Sequence, residues 1–350
     1  MPNVPAASLP RRVRSRSRST VLVAALVTGT MAAAACSGDD GETVRVYTGR
    51  HYDLEAAFTQ FSEETGISVE FLTGSDAELR ERIAAEGEDT EADVYMTVDA
   101  GNLATAVDQD VFAAIDSPLL DDAVPSNLRD PDGHWYGLSV RARTIVYHPD
   151  RIEPSEVPTT YEELADPAWD GRLCLRNSSN VYTQSLVAGL IAGRGLDGAR
   201  PIVQGWSDNA EMMSNDVLVL ESIAAGQCDA GITNHYYLAR LIEEDPDFPV
   251  ELVWADQDGA GVHVNISGAG VTRYADDPEL AQRLIEWLAT DGQSAFVDGN
   301  HEYPVNPEVE PEPLIVERFG ASFVQDQVNA AEFGRLAPDA IELLDETGYR

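Results

Sequence analysis

Val44-Arg-Val-Tyr-Thr-Gly-Arg-His-Tyr-Asp-Leu-Glu-Ala-Ala-Phe58 changes its apolar rhythm in the middle. Val44 to Thr48 alternates as a strand does, whereas Leu54, Ala57, Phe58 and Phe61 recur at helical spacing up to Gly66. Ile67 to Leu72 reads as the next strand. Ser75-Asp-Ala-Glu78 is a capping box opening a helix that carries Leu79, Ile83 and Ala84, and Asp93-Val-Tyr-Met-Thr-Val98 supplies a third strand. Strands alternating with helices in this way imply an α/β fold with mainly parallel sheets covered on both faces.

The rhythm returns further on. Thr160-Tyr-Glu-Glu163 is a second capping box, Leu173 to Arg176 a strand, and Val181 to Ala192 a helix of small and aliphatic residues. Val217 to Ala225 and Tyr236 to Glu244 read as helices around a strand at Asp229 to Thr233, and Val250 to Trp254 closes the set. The glycine-rich run Val264 to Val271 leads to Asp277-Pro278, which starts an amphipathic helix ending near Thr290. Two α/β lobes with an interlobe cleft and a hinge are expected, because open sheets bind ligands at the carboxyl ends of their strands. The chain should cross between lobes near Arg141 to Tyr147 and His263 to Ser267. That places residues 43–142 with 264–305 in the first lobe and 143–263 in the second, with 306–350 a helical tail packed on one lobe.

Residues 1–35 read as an export signal. Arg11, Arg12, Arg14, Arg16 and Arg18 precede the apolar run Val21 to Ala35, about 15 residues and short of the roughly 20 that span a bilayer. Ala33-Ala34-Ala35 stand directly before Cys36, as in a bacterial lipoprotein box, so Cys36 is expected to carry lipid and residues 36–42 to act as a tether. The expected location is extracytoplasmic, anchored to the cell membrane. Removing the signal leaves 18 of the 23 basic residues against all 61 Asp and Glu, a formal charge of −43. Nucleic acid is excluded as a partner. The acidity otherwise serves solubility or life in salt and names no ligand. Cys174 and Cys228 remain, an even pair in an oxidising compartment. A disulfide between neighbouring strands and two small buried thiols both fit them.

Tyrosine follows a predicted strand in three places: Arg50-His51-Tyr52, Asn177-Ser178-Ser179-Asn180-Val181-Tyr182 and Asn234-His235-Tyr236-Tyr237. One such tyrosine is usually a core or rim aromatic. Three groups at strand ends point to an interlobe ligand. The adjacent pair Tyr236-Tyr237, set at a strand-to-helix turn, can turn both phenols toward one point, since neighbours on a helix diverge by only about 100°. Phenols ionise near pH 10 and serve Mg²⁺ or Zn²⁺ poorly, but a small trivalent cation stabilises phenolate, and hard oxygen donors suit Fe³⁺. Four phenolates around Fe³⁺ leave a net charge of −1, which Arg50, Arg141 or Arg143 would offset. His51 is a further candidate ligand through its imidazole.

The segments Tyr47-Thr-Gly-Arg-His-Tyr52, Asp93 to Asp99, Arg172 to Ser185, Asn234-His-Tyr-Tyr237 and His263-Val-Asn-Ile-Ser-Gly268 run in family order along the chain. Together they resemble the ferric-iron-binding periplasmic proteins of bacterial iron ABC transporters. The resemblance implies a two-lobed fold of the periplasmic-binding type, type II, working as a monomer that delivers Fe³⁺ to permease subunits. By position it makes Tyr52 the first-lobe ligand, Tyr182 a second-lobe ligand, and Tyr236 with Tyr237 the adjacent pair; His51 matches a histidine that some members use. Some members complete the iron shell with an exogenous anion such as carbonate, for which Asn177, Ser178 and Ser179 are placed, whereas the tyrosine-rich branch manages without one. Cys174 and Cys228 fall where several relatives have cysteines, which favours the disulfide.

Three other classes fit the sequence less well. A same-fold protein for a polyamine would use carboxylates and aromatic faces, with Glu221, Asp99, Trp135 and Trp254 as candidates, but it leaves the tyrosines unexplained. A secreted metal-dependent hydrolase needs a motif such as HExxH, GxSxG or paired histidines, and none is present, so no enzyme activity is expected. An adhesion protein should show repeats or β-sandwich spacing, which are missing too.

Overall fold

The computed structural model describes residues 42–350 apart from 51 and 53. The expected signal, lipid-bearing Cys36 and ligand His51 lie outside the described residues. Ten strands run in chain order among the described residues: β1 (Thr43–Thr48), β2 (Ser68–Thr73), β3 (Val94–Thr97), β4 (Tyr136–Tyr147), β5 (Leu173–Arg176), β6 (Ala210–Met213), β7 (Ala230–Asn234), β8 (Glu251–Val253), β9 (Val264–Val271) and β10 (Tyr303–Pro304). Their order in space is β2-β1-β3-β9-β4-β7-β5-β6, with β8 and β10 also paired to β4.

β4 belongs to two sheets. Its first part, Tyr136 to Ala142, pairs antiparallel with β9, while Arg143 to Tyr147 pairs with β7, so partners change between Ala142 and Arg143. The expected parallel pairing holds for the outer strands: β1 with β2 and β3, and β5 with β6 and β7. Around β4 and β9 every pairing is antiparallel, so the whole is a mixed sheet system. Parallel neighbours need a crossover helix between them, whereas β4 and β9 carry the chain from one sheet to the other and back.

The first helix, Leu54–Thr65, buries Leu54, Ala57, Phe58 and Phe61, the set picked out by its spacing. Ser75 caps the next helix, its side chain accepting the Glu78 N–H at 3.3 Å. At Thr160-Tyr-Glu-Glu163 the capping box forms too: Glu163 N–H donates to Thr160 Oγ1 and Thr160 N–H to Glu163 Oε2, both at 3.2 Å. It caps only one 3₁₀ turn, Glu163–Ala165, because Pro167 forces Asp166 into extended geometry. The helix Val181–Asn209 is two helices joined at Gly195, whose φ of 70° suits glycine.

Cys174 on β5 and Cys228, just before β7, form a disulfide with Cα atoms 5.8 Å apart. The tail, expected on a single lobe, lies against elements of both sheets. Ala330 N–H donates to Asn127 O, and the helix Ala331–Arg335 closes on the helix Ala100–Asp108. A Cβ at Gly334 would stand 2.4 Å from that of Ala104, so the close approach there requires glycine. The helix Ala337–Glu346 then reaches the far half of Val181–Asn209 through an Arg200–Glu346 pair at 2.7 Å. No helix among the described residues is long and apolar enough to cross a membrane.

Candidate metal centre

β7 ends at Asn234 and the helix His235–Glu244 begins at once, so Tyr236 and Tyr237 occupy its first turn. Their ring centroids are 4.4 Å apart with planes tilted by 36°. The Tyr236 hydroxyl accepts Asn234 Nδ2 at 3.2 Å. Tyr182 follows β5, the parallel neighbour of β7, as the second residue of its own helix, with its N–H capped by Asn180 Oδ1 at 2.9 Å. Its hydroxyl interacts with that of Tyr236 and accepts Arg141 Nη1 at 3.3 Å. All three tyrosines sit at helix N-termini, where the helix dipole and free N–H groups favour negative charge.

Burial raises the pKa of Tyr182 above the usual phenol value, and Arg141 pulls it partly back. Tyr236 lies well above that value, from burial first and then from Tyr182 and Tyr237 beside it. Without a cation these groups are protonated phenols at neutral pH.

Tyr52 follows β1 on the other side and is 45 % exposed. The Arg240 guanidinium lies 4.0 Å from its ring centroid, 5.3 Å from that of Tyr236 and 5.8 Å from that of Tyr237. Arg240 thus joins the first-sheet tyrosine to the adjacent pair, and its Nη2 is buried without a hydrogen-bond partner. Sequence reasoning missed this residue. The signal was its place one helical turn after Tyr236 and Tyr237.

Arg50, Arg141, Arg143 and Arg176 are arranged around two buried carboxylates, which the sequence reading also missed. Glu302 takes Arg50 Nη1 at 2.5 Å and lies 4.0 Å from Arg141 Nε. Burial alone would raise the Glu302 carboxyl pKa, but Arg50 and Arg141 outweigh it and the pKa falls. Asp216 likewise takes Arg143 Nη1 at 2.6 Å and pairs with Arg176. Arg141 is the expected arginine that touches a tyrosine; Arg50 and Arg143 stand one layer further out. Arg176 adds its own approach, 5.4 Å from the Tyr182 ring centroid. Each carboxylate sits between two arginines, so each group retains a positive charge beside the phenols.

Asn177, Ser178 and Ser179 form the turn before the Tyr182 helix. Ser179 Oγ donates to Asn177 Oδ1 at 2.8 Å, and the Ser178 carbonyl accepts Gln184 Nε2 at 3.0 Å. His235 packs edge-on against Tyr236, ring centroids 5.9 Å apart, but both its nitrogens are engaged elsewhere: Nδ1 accepts the Ala142 N–H at 3.2 Å and Nε2–H donates to His301 O at 3.0 Å, which fixes a neutral tautomer.

A two-lobed α/β binding fold of the periplasmic type, type II, defines the class of protein. The chain belongs to the bacterial extracellular solute-binding protein family, which it matches over residues 89–319. It is 38% identical over 319 residues to Iron uptake protein A1 of Synechocystis sp., covering 88% of each chain. It is 27% identical over 323 residues to the Fe(3+)-binding periplasmic protein of Serratia marcescens, covering 90% of this chain and 93% of that one. Among solved structures it is similar to Trichodesmium IdiA (FutA) in complex with iron and citrate ligands, with a TM-score of 0.84, 38% identity, and coverage of 88% and 100% of the two chains. It is also similar to Mannheimia haemolytica ferric iron-binding protein A in an open conformation, with a TM-score of 0.82, 29% identity, and coverage of 88% and 99%.

Proposed function

We propose that the protein captures ferric iron between its lobes through the phenolates of Tyr52, Tyr182, Tyr236 and Tyr237, and passes it to the permease of an ABC transporter. It works outside the cytoplasm, held to the membrane by lipid on Cys36, and does no covalent chemistry. The observation that carries this reading is the meeting of Tyr182, Tyr236 and Tyr237 under Arg141, Arg176 and Arg240. Such cations offset the net −1 of an Fe³⁺ tetraphenolate, most strongly on the side of buried Tyr236 and Arg141.

The lobes of the proposal are residues 43–142 with 264–305 and residues 143–263, hinged where β4 and the approach to β9 cross. Closure brings Tyr52 to a metal already held by the second-lobe tyrosines. His51 stands beside Tyr52 as a further ligand. The Asn177-Ser178-Ser179 turn adjoins Tyr182, where a small anion such as carbonate would complete the shell.

The polyamine reading loses its candidates. Trp135 is fully buried, Trp254 stacks on Phe323 at 4.1 Å, Glu221 points to solvent, and Asp99 is committed to other hydrogen bonds.

Mixing the purified protein with ferric citrate tests the proposal. Phenolate-to-iron charge transfer should give a visible band, and Tyr236→Phe with Tyr237→Phe should bleach it. A wild-type protein that stays colourless overturns the iron reading.

A further inference from the structure

Three segments that stand out in the sequence end at or contain Asp99, Ser185 and Asn265. None of these residues belongs to the tyrosine cluster, yet they meet at one oxygen. Asp99 is fully buried and caps the helix Ala100–Asp108, its Oδ1 accepting the Asn102 N–H at 3.1 Å. Its Oδ2 accepts Asn265 Nδ2 at 2.7 Å and Ser185 Oγ at 2.8 Å. Asn265 is itself fixed, since its Oδ1 takes the Ala100 N–H at 3.0 Å and the Ile266 N–H at 2.8 Å.

Two of the donors on Asp99, Asn102 and Asn265, sit on the helix it caps and on β9, which pairs with β3 beside it. Ser185 alone comes from the other side. It lies one helical turn beyond Tyr182 and on the same face, so whatever holds Ser185 also holds the helix end that presents the Tyr182 phenol. A buried carboxylate must keep its hydrogen bonds, and a bond to a charged group is among the stronger ones a protein makes.

We infer that Asp99 is a closure latch and a positioning residue for Tyr182. Asn265 holds its Oδ2 ready, and the Ser185 hydroxyl completes the shell only when the lobes are shut. The latch rests on the iron-binding reading given above and adds to it a determinant of how long the metal stays bound.

The test follows loss of the visible band when iron-loaded protein meets excess chelator. Ser185→Ala should release iron about tenfold to a hundredfold faster than wild type, with the band unmoved because every tyrosine remains. Ser185→Thr, which keeps the hydroxyl, should restore slow release. A Ser185→Ala rate within twofold of wild type overturns the latch, as does a Ser185→Thr variant as fast as Ser185→Ala. If wild type shows no band, the iron reading fails by itself. The latch is then decided by small-angle scattering of the metal-free chain: Ser185→Ala should enlarge the radius of gyration, and an unchanged radius overturns it.

Discussion

Loading the protein with ferric iron near pH 7 should expel one proton for every phenol that joins the metal. The phenols of Tyr182 and Tyr236 lie above their ordinary pKa because they are buried, so both are protonated before the metal arrives. If Tyr52 and Tyr237 ligate as well, about four protons leave per iron bound. Each proton is worth about 1.4 kcal/mol per pH unit, so the binding free energy should strengthen by about 5 kcal/mol, or ~10⁴-fold, for each unit of rising pH. Protonation of the chelator that supplies the iron must be subtracted from this slope. The assay is pH-stat titration of weakly buffered protein with a ferric chelate of known protonation, repeated for each Tyr→Phe variant. Every ligand removed should lower the count by about one. A count near zero, or one that Tyr236→Phe leaves unchanged, would refute phenolate ligation whatever colour the protein shows.

Two further outcomes follow from the same geometry. Arg240→Gln removes the cation shared by Tyr52, Tyr236 and Tyr237, and competition with a chelator should show iron held about tenfold more weakly; unchanged affinity would place the charge compensation elsewhere. Burial lowers the His235 pKa to about 4 from an ordinary 6.5. The unfolded chain therefore takes up a proton that the native chain refuses, and stability is lost as pH falls from 6.5 to about 4, by about 3 kcal/mol. Urea unfolding across that range should show the loss, and His235→Gln should make it shallower, leaving the share of buried His263, whose pKa burial lowers to about 3.

The opening β-α unit was legible because two clean periodicities meet within Val44 to Phe61, and the tyrosines because each falls at a strand end. Where the structure departs from the sequence reading, a distant contact or a neighbouring proline decides. The tail spans both sheets because Gly334 can close on Gly101 and Ala104, which no local pattern announces. The capping box at Thr160 is correct in every atom, yet Pro167 stops its helix after one turn. Glu302 and Asp216 are two among 61 acidic residues, and only burial between arginines sets them apart.

Composition even points the wrong way at the centre itself. A strongly acidic chain attracts cations from a distance, but in the proposed centre four phenolates on Fe³⁺ form an anion, and the groups that border it must be positive. Arg141, Arg176 and Arg240 meet that need, and every one of the chain's 23 basic residues is arginine. A buried lysine readily gives up its proton, whereas a buried guanidinium keeps its charge and still aims several donors. Arg141 follows this rule: burial alone would lower its pKa, but Tyr182, Tyr236 and Glu302 together raise it. In the proposed centre, the charge that borders the phenolates is therefore opposite in sign to the charge that attracts the metal from afar, and only the arrangement of the arginines around Glu302 and Asp216 reveals the reversal.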